Sequence, residues 1–149
     1  MSFTTQHDSD NYTTDCTVWD TIKQFIPLDK KIYAPFYCNG KQKEYFKELL
    51  NLDIIHEDTD FFTNTFDYDI IIDNPPFSKK KEILTKLREV DKPFILIIPT
   101  CLLSLKWFQK LYSNNIQIII PMKRLTFTHL HRPKVGYTPH LGHLFIVIK

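Results

Sequence analysis

One segment constrains the fold of this chain more than any other: three consecutive isoleucines at positions 70–72 run directly into an Asp-Asn-Pro-Pro-Phe sequence at 73–77. The isoleucines are β-branched and predict a buried strand. Neither proline can donate a hydrogen bond to a neighbouring strand, so the strand has to end before them. An amide, a rigid carbonyl and an aromatic ring then stand at the carboxyl end of a strand, where open α/β sheets bind ligands. Together, these groups could hold a planar base that carries an amino group.

Helical and strand patterns alternate along the rest of the chain. Helical apolar spacing occurs in 17–26, 42–50, 78–90 and 104–112, and strand-like apolar runs occupy 31–34, 52–56, 93–98, 116–120 and 143–148. The alternation predicts an α/β fold with a mostly parallel sheet and helices on both faces. Ser78 is the predicted N-cap of the third helix. Residues 121–142 lack a helical pattern, which predicts that the last two strands are antiparallel neighbours.

A chain of 149 residues suggests one domain with a substantial core. We assign residues 16–149 to this domain and the polar, acidic residues 1–15 to a flexible tail. No apolar run approaches the roughly 18 residues of a membrane helix, and the first residues do not form the apolar segment of a signal peptide. The three cysteines are an odd number without metal-type spacing, which predicts a reduced, intracellular protein, cytoplasmic or nuclear.

Charge is distributed unevenly along the chain. Residues 1–78 carry a net charge of −8, from 6 Lys and Arg against 14 Asp and Glu, whereas residues 79–149 carry +10, from 13 against 3. A basic second half suits a polyanionic partner such as nucleic acid. The candidate phosphate contacts are Lys79, Lys80, Lys81, Lys123, Arg124, Arg132 and Lys134. Solvated lysines without a partner are the alternative interpretation.

The sequence Asn74-Pro75-Pro76-Phe77 resembles the (Asp/Asn/Ser)-Pro-Pro-(Tyr/Phe/Trp) motif of S-adenosylmethionine-dependent amino methyltransferases, above all the N6-adenine class. The resemblance implies a Rossmann-like methyltransferase fold with an antiparallel last strand, and S-adenosylmethionine as the cofactor. It extends over residues 17–149. Small phage- and virus-type adenine methyltransferases without a separate target-recognition domain are the most similar, which makes a phage or virus one expected source.

The same resemblance assigns roles within the motif. The target adenine would be flipped out of its strand, and its amino group would donate hydrogen bonds to the Asn74 side-chain oxygen and the Pro75 carbonyl. Pro76 completes the motif, and Phe77 would stack on the base, a contact worth roughly 1–3 kcal/mol. No strong base is required before attack, because the proton can leave once the nitrogen is cationic. Asp73 could be either a helper at the pocket or a structural residue that ends the strand.

Two further segments resemble cofactor-binding parts of this family. In the Asp-Pro-Phe-x-Gly-x-Gly loop of the family, Pro35, Phe36 and Gly40 match, whereas Ala34 replaces the acid and Cys38 replaces a glycine. Glycine at such a position lets the backbone approach a ligand closely. The missing acid would normally help to hold the methionine amino group of the cofactor.

The second cofactor-binding segment follows the predicted strand 52–56 and resembles the Asp-Phe-Phe sequence of the family. We assign Asp58 to the ribose hydroxyls and Asp60 to the adenine of the cofactor, with the Phe61 ring packed nearby. Asn74 would also border the cofactor. A solvated acidic turn is the alternative interpretation of this segment.

Several alternatives remain open on sequence alone. The chain could be a catalytically inactive methyltransferase-like subunit that binds nucleic acid or a partner, as the departures at Ala34 and Cys38 allow. It could also methylate a glutamine amide in a protein, although that family uses tyrosine where this chain has Phe77. DNA is preferred over RNA as the substrate by family analogy alone. No metal is predicted, because the candidate zinc ligands lie in a histidine-rich region without a nearby cysteine: His129, His131, His140 and His143.

Overall fold

The computed structural model describes residues 10, 12–131, 136–137 and 142–148. The elements, in chain order, are β1 (Tyr12–Thr14), α1 (Cys16–Asp20), β2 (Ile32–Tyr33), α2 (Gln42–Leu50), β3 (Ile70–Asp73), α3 (Lys80–Val90), β4 (Phe94–Pro99), α4 (Lys106–Tyr112), β5 (Gln117–Ile119), β6 (Phe127–His129), β7 (Gly136–Tyr137) and β8 (His143–Ile148). Short 3-10 turns occupy Lys23–Phe25, Phe77–Lys79 and Thr100–Ser104. The chain therefore has a mixed α/β fold.

The main sheet contains five strands in the order β2-β3-β4-β8-β5. The pairs β2–β3 and β3–β4 are parallel, while β8 lies antiparallel between β4 and β5. A second, three-stranded sheet has the order β1-β6-β7 and is antiparallel throughout. The antiparallel placement of β8 agrees with the sequence prediction.

The prediction of a mostly parallel sheet is wrong, because four of the six strand pairs in the described residues are antiparallel. Two features account for the difference. The last strand contributes two antiparallel pairs by entering between β4 and β5, instead of one pair at an edge. The region 121–142, predicted as a loop, also supplies β6 and β7.

The core lies on both faces of the main sheet, because successive side chains of a strand point to opposite faces. Ile70 and Ile72 of β3 pack in one cluster with the buried residues of α1 and α2. Ile71 of the same strand packs in the other cluster with the buried residues of α3 and α4. The helices therefore cover both faces, as predicted from the alternation of patterns.

Four local expectations are corrected by the structure. The predicted strand 52–56 is reduced to a single parallel bridge between Tyr33 and Ile55, because the chain turns away soon after it, where Thr59 N donates to Glu57 O. The predicted first helix ends at Asp20 and is followed by a 3-10 turn.

The other two corrections concern the start of the chain and the third helix. Residues Tyr12–Thr14, assigned to a flexible tail, form β1 and pair with β6; residues 1–9 and 11 lie outside the described residues. Ser78 does not cap α3, which begins at Lys80 without a side-chain cap. Instead, the Ser78 backbone N–H and hydroxyl both donate to the Asp10 carboxylate. The start of the described chain is thus tied to the segment that follows the proline motif.

None of the helices in the described part of the chain has the length and apolar character needed to cross a membrane. The longest of them, α3, has 11 residues.

Candidate functional site

A small pocket lies at the carboxyl ends of β2 and β3, where three separate segments meet. The segment 12–14 and the loop 36–39 supply two walls, and Gln42, Asp73 and Asn74 supply most of the remainder, with Tyr45 beside them. The predicted cofactor loop and the first two residues of the Asp-Asn-Pro-Pro-Phe sequence therefore line the same pocket. The parallel pairing of β2 with β3 causes this, since parallel strands bring their carboxyl ends to one edge of the sheet.

The Asp73 side chain connects the two predicted site segments through hydrogen bonds. Its side chain is 1% exposed, and its two carboxylate oxygens accept hydrogen bonds from Phe36 N at 2.6 Å and Asn74 N at 2.8 Å. Burial raises the pKa of this carboxyl well above its ordinary value, and the hydrogen bonds from Phe36, Asn74 and the Gln42 side chain partly oppose the rise. The Asp73 carboxylate therefore has a structural position, one of the two alternatives left open by the sequence.

Asn74 offers an acceptor to the pocket. Its Nδ2 donates to the Thr14 Oγ1 atom at 3.0 Å. Its Oδ1 is buried and has no hydrogen-bond partner in the described part of the chain. A buried polar atom without a partner costs about 1–3 kcal/mol, so such atoms are rare in folded proteins. A ligand that donates a hydrogen bond at this position would remove that cost.

The predicted cofactor loop contains two residues with positive φ angles. Gly40 has φ +75°, and a Cβ atom there would lie 2.6 Å from the Tyr37 hydroxyl oxygen. The positive φ therefore favours glycine, and any side chain at this position would also have to displace the Tyr37 ring. Cys38, which stands where the family has glycine, has φ 51°. Cys38 thus adopts a left-handed conformation that favours glycine. Its side chain makes this conformation less favourable.

We expect Cys38→Gly to be more stable than Cys38→Ala by about 1 kcal/mol, because only glycine adopts a positive φ without a steric penalty. The alanine variant serves as the control, since it removes the same thiol and its contact with the Tyr12 carbonyl oxygen at 3.6 Å. Urea unfolding of both variants measures the difference. An alanine variant as stable as the glycine variant would show that the backbone at position 38 is not strained.

The residue at the position of the missing acid, Ala34, is buried and belongs to the sheet. Its N–H donates to Ile55 O, and its carbonyl oxygen lies 2.8 Å from Nδ1 of the buried His56. Burial lowers the pKa of this histidine, and its ring stacks on Tyr37 with centroids 5.1 Å apart. Pro35 is also buried. The base of the loop is therefore an ordered part of the fold.

The acidic segment is only partly arranged as predicted. The Phe61 ring packs against the Phe36 ring with centroids 5.4 Å apart, which places it beside the cofactor loop. The Asp60 carboxylate accepts a hydrogen bond from Phe62 N at 2.9 Å and so supports its own turn. Asp58 and Asp60 are exposed, and neither lines the pocket described above.

The remainder of the proline motif lies next to the pocket. Pro75 is buried, and Pro76 and Phe77 are partly exposed. The Phe77 ring stacks on His143 of β8, with centroids 5.3 Å apart and an interplanar angle of 21°. One face of the ring is thus covered by protein, and a base would have to use the other face or its edge.

The predicted phosphate contacts form three groups in the sequence, and the structure describes two of them. Lys79 is exposed, Lys80 Nζ donates to Phe77 O at 3.0 Å, and Lys81 Nζ lies 5.9 Å from the centroid of the Trp107 ring. Lys123 and Arg124 are exposed in the segment before β6. Arg132 and Lys134 lie outside the described residues.

In the described part of the histidine-rich region, the histidine rings contact other aromatic rings. His129 is buried and its Nδ1 accepts a hydrogen bond from His131 N at 3.1 Å. The same ring meets Tyr12 edge-on, with centroids 4.8 Å apart. No three potential metal ligands are grouped within the described residues. His140 is not among the described residues.

Several residues of the pocket lining were missed by the sequence analysis, and two of them, Thr14 and Gln42, contact the motif strand or the motif itself. Gln42 is buried at the start of α2, and its Nε2 donates to Ile72 O at 3.0 Å. A polar residue at the first position of a helix gives no signal of burial. For Thr14, the run Tyr-Thr-Thr at 12–14 was available as a signal, since all three residues favour strands.

No protein-family model matches the chain, and no curated protein matches it in sequence.

Proposed function

We propose that the chain is an S-adenosylmethionine-dependent methyltransferase that methylates the N6 amino group of adenine in nucleic acid, with DNA preferred over RNA. The observation that carries the proposal is the buried Asn74 Oδ1, which has no hydrogen-bond partner among the described residues and belongs to a side chain that lines a pocket with the loop 36–39. Methyl transfer to an amino group requires an acceptor that holds that group beside the cofactor. Asn74 meets this requirement at the end of a strand that the core holds rigidly.

The residues of the motif would orient the target in the following way. The adenine amino group donates one hydrogen bond to Asn74 Oδ1 and the other to the Pro75 carbonyl, which leaves its lone pair directed at the cofactor. S-adenosylmethionine, when bound, supplies an electrophilic methyl group. The Asp73 carboxylate is not assigned as a base, because Phe36 N and Asn74 N already donate to it. The catalytic effect is then one of positioning, which can be worth several kcal/mol.

Cofactor contacts are assigned to the loop between β2 and α2 and to the segment after 56. Phe36, which lines the pocket, would form the wall on the methionine side, with Pro35 and Gly40 beside it in the same loop. The Phe61 ring, packed against Phe36, would border the adenine. Asp58, exposed after the single bridge at Ile55, remains the proposed ribose contact. The antiparallel placement of β8 between β4 and β5 supports the methyltransferase-like arrangement.

Nucleic acid is the proposed substrate class because of the charge distribution. The lysines at 79–81 follow the motif after Ser78, and Lys123 and Arg124 are exposed. Such residues suit backbone phosphates. The exposed Lys79 side chain could reach phosphates beside a flipped base. Lys81 would have to leave the Trp107 ring, and Lys80 would first have to release the Phe77 carbonyl.

The proposal is tested by labelled methyl transfer to matched single-stranded and double-stranded DNA and RNA oligonucleotides, followed by nucleoside analysis. We expect N6-methyladenine as the product, and we expect Asn74→Ala to reduce transfer by about 100-fold or more, since misplacing a reacting group by about 1 Å can have this effect. Asn115→Ala, at an exposed asparagine, is the matched control. Equal transfer by the two variants would overturn the proposed role of Asn74.

A catalytically inactive methyltransferase-like subunit that binds nucleic acid is the second candidate. It is favoured by Ala34, which places a buried methyl group where the family has an acid, and by the contact of Phe77 with His143. Calorimetry with S-adenosylmethionine discriminates between the two. No measurable binding, with or without an oligonucleotide, would favour the inactive subunit.

A further inference from the structure

The orientation of the Asn74 amide decides what the pocket offers to a ligand. An amide presents an acceptor at one end and two donors at the other, and the two ends have nearly the same shape. With Nδ2 held by Thr14 Oγ1 at 3.0 Å, the acceptor Oδ1 is the end without a hydrogen-bond partner in the described residues. A threonine hydroxyl can donate as well as accept, so it can hold the side-chain amide by either end. The Thr14 contact therefore restrains the position of the Asn74 amide in the pocket wall.

The position of Thr14 is fixed by the strand that carries it. β1 pairs with β6 over its whole length, and Thr14 lies opposite Phe127. Its neighbour Thr13 directs its hydroxyl to the Thr128 carbonyl oxygen at 3.3 Å. The two threonines thus have distinct contacts: Thr13 makes a contact with the sheet partner, and Thr14 makes one with the pocket.

A second contact links the start of the described chain to the residue that follows the motif. The Asp10 carboxylate accepts hydrogen bonds from the backbone N–H and the hydroxyl of Ser78. The Tyr12 carbonyl oxygen lies 3.6 Å from Cys38 Sγ in the predicted cofactor loop. Asp10 therefore contacts the segment after the motif, and Tyr12 contacts the predicted cofactor loop, which together restrict the position of β1.

On the basis of the proposed function, we propose that Thr14 is a positioning residue for the reaction. Its hydroxyl accepts from Asn74 Nδ2, restrains the side-chain amide, and so sets the geometry in which the target amino group is held. Thr14 itself does not contact the amino group. The target-binding part of the site is thus completed by β1, which lies 60 residues before the motif in the chain.

Three variants isolate the contribution of the hydroxyl. Thr14→Val keeps the shape and removes the hydroxyl, Thr14→Ser keeps the hydroxyl, and Thr13→Val removes the neighbouring hydroxyl from the same strand. We expect Thr14→Val to lower kcat by about 10-fold or more, with the KM for S-adenosylmethionine little changed. Thr14→Ser is expected to stay within about 3-fold of the wild type, a small fraction of the effect of losing a positioned group. Thr13 also lines the pocket, but its hydroxyl contacts the Thr128 carbonyl oxygen, so Thr13→Val should lower kcat clearly less than Thr14→Val does.

Two kinetic outcomes would overturn the proposal. The first is a Thr14→Val variant with the kcat of the wild type. The second is an equal loss in Thr13→Val and Thr14→Val, because that would reflect a general weakening of β1 instead of an effect on the Asn74 amide.

A readout that does not depend on activity separates this proposal from the proposed function. The side-chain amide protons of Asn74 can be assigned by NMR from the signals that disappear in Asn74→Ala. We expect these signals to shift and to exchange faster with solvent in Thr14→Val, but not in Thr13→Val. Unchanged Asn74 signals in Thr14→Val would overturn the Thr14 contact. Absence of methyl transfer by the wild type, with the expected shift present, would instead overturn the proposed function alone.

Discussion

Replacing Trp19 with alanine should lower the free energy of unfolding by about 3–5 kcal/mol. The Trp19 side chain is fully buried and packs against Phe46, with ring centroids 5.6 Å apart. This contact joins α1 to α2, the helix that begins directly after the predicted cofactor loop. Alanine would leave a cavity that the flanking helices could fill only in part. Chemical denaturation followed by circular dichroism measures the change.

Two control variants distinguish lost packing from other effects of the substitution. Trp19→Phe keeps an aromatic ring and removes an indole Nε1 that has no hydrogen-bond partner in the described residues, so it should lose less than half as much stability. Trp107→Ala removes the other tryptophan, which is only partly buried, and should lose much less than Trp19→Ala. A loss at Trp107 as large as that at Trp19 would contradict the assignment of Trp19 to the core.

Replacing Asp73 with alanine should destabilise the chain by about 2 kcal/mol or more and should disorder the pocket. The backbone N–H groups of Phe36 and Asn74 would lose their acceptor, and each buried group left without a partner costs about 1–3 kcal/mol. Removal of a buried carboxylate offsets part of this loss. Because Asp73 joins the two site segments, amide signals of Phe36 and Asn74 should shift together in NMR spectra of the variant.

The carboxyl of Asp73 also predicts a dependence of stability on pH. Burial raises its folded-state pKa well above the ordinary value of 3.8, so the folded state binds this proton more tightly than the unfolded state. The stabilising contribution is fully present below about pH 4, falls as pH rises, and is lost above the folded-state pKa. The stability of the wild type relative to Asp73→Asn should therefore decrease from pH 4 towards neutral pH.

The matched control for this titration is Ile71→Val, a substitution in the same strand that shortens a buried side chain and removes no titratable group. The difference between wild type and this variant should change little over the same pH range. A constant difference between wild type and Asp73→Asn would show that Asp73 does not titrate above its ordinary range in the folded protein.

The parts of the fold that the sequence predicted well are those whose patterns are long and regular. Helix α2 has the predicted bounds Gln42–Leu50, and β8 has the predicted bounds His143–Ile148. In both, apolar spacing and burial agree. The strand at 70–73 and its end at the prolines were also predicted, because β-branched residues and missing donors act locally.

The parts that were missed depend on contacts between distant residues. β1 has three residues and owes its conformation to β6, which is more than 100 residues away in the chain. A short strand of this kind carries no periodic signal of its own. The contact between Thr14 and Asn74 is likewise separated by 60 residues. Phe36 and Asn74 were both assigned to the cofactor site from the family resemblance, and they line one pocket. The wall that residues 12–14 add to this pocket was not predicted.

The position of β8 between β4 and β5 imposes an order on the assembly of the main sheet. Among the described strands, β5 pairs only with β8, whereas β2, β3 and β4 already form a parallel set without it. β5 precedes β8 in the chain, so it has no sheet partner while β8 is absent. β5 can therefore join the sheet only after β8 has been synthesised and the loop between the two strands has closed. Until that moment, the outer edge of β4 is open to other strands.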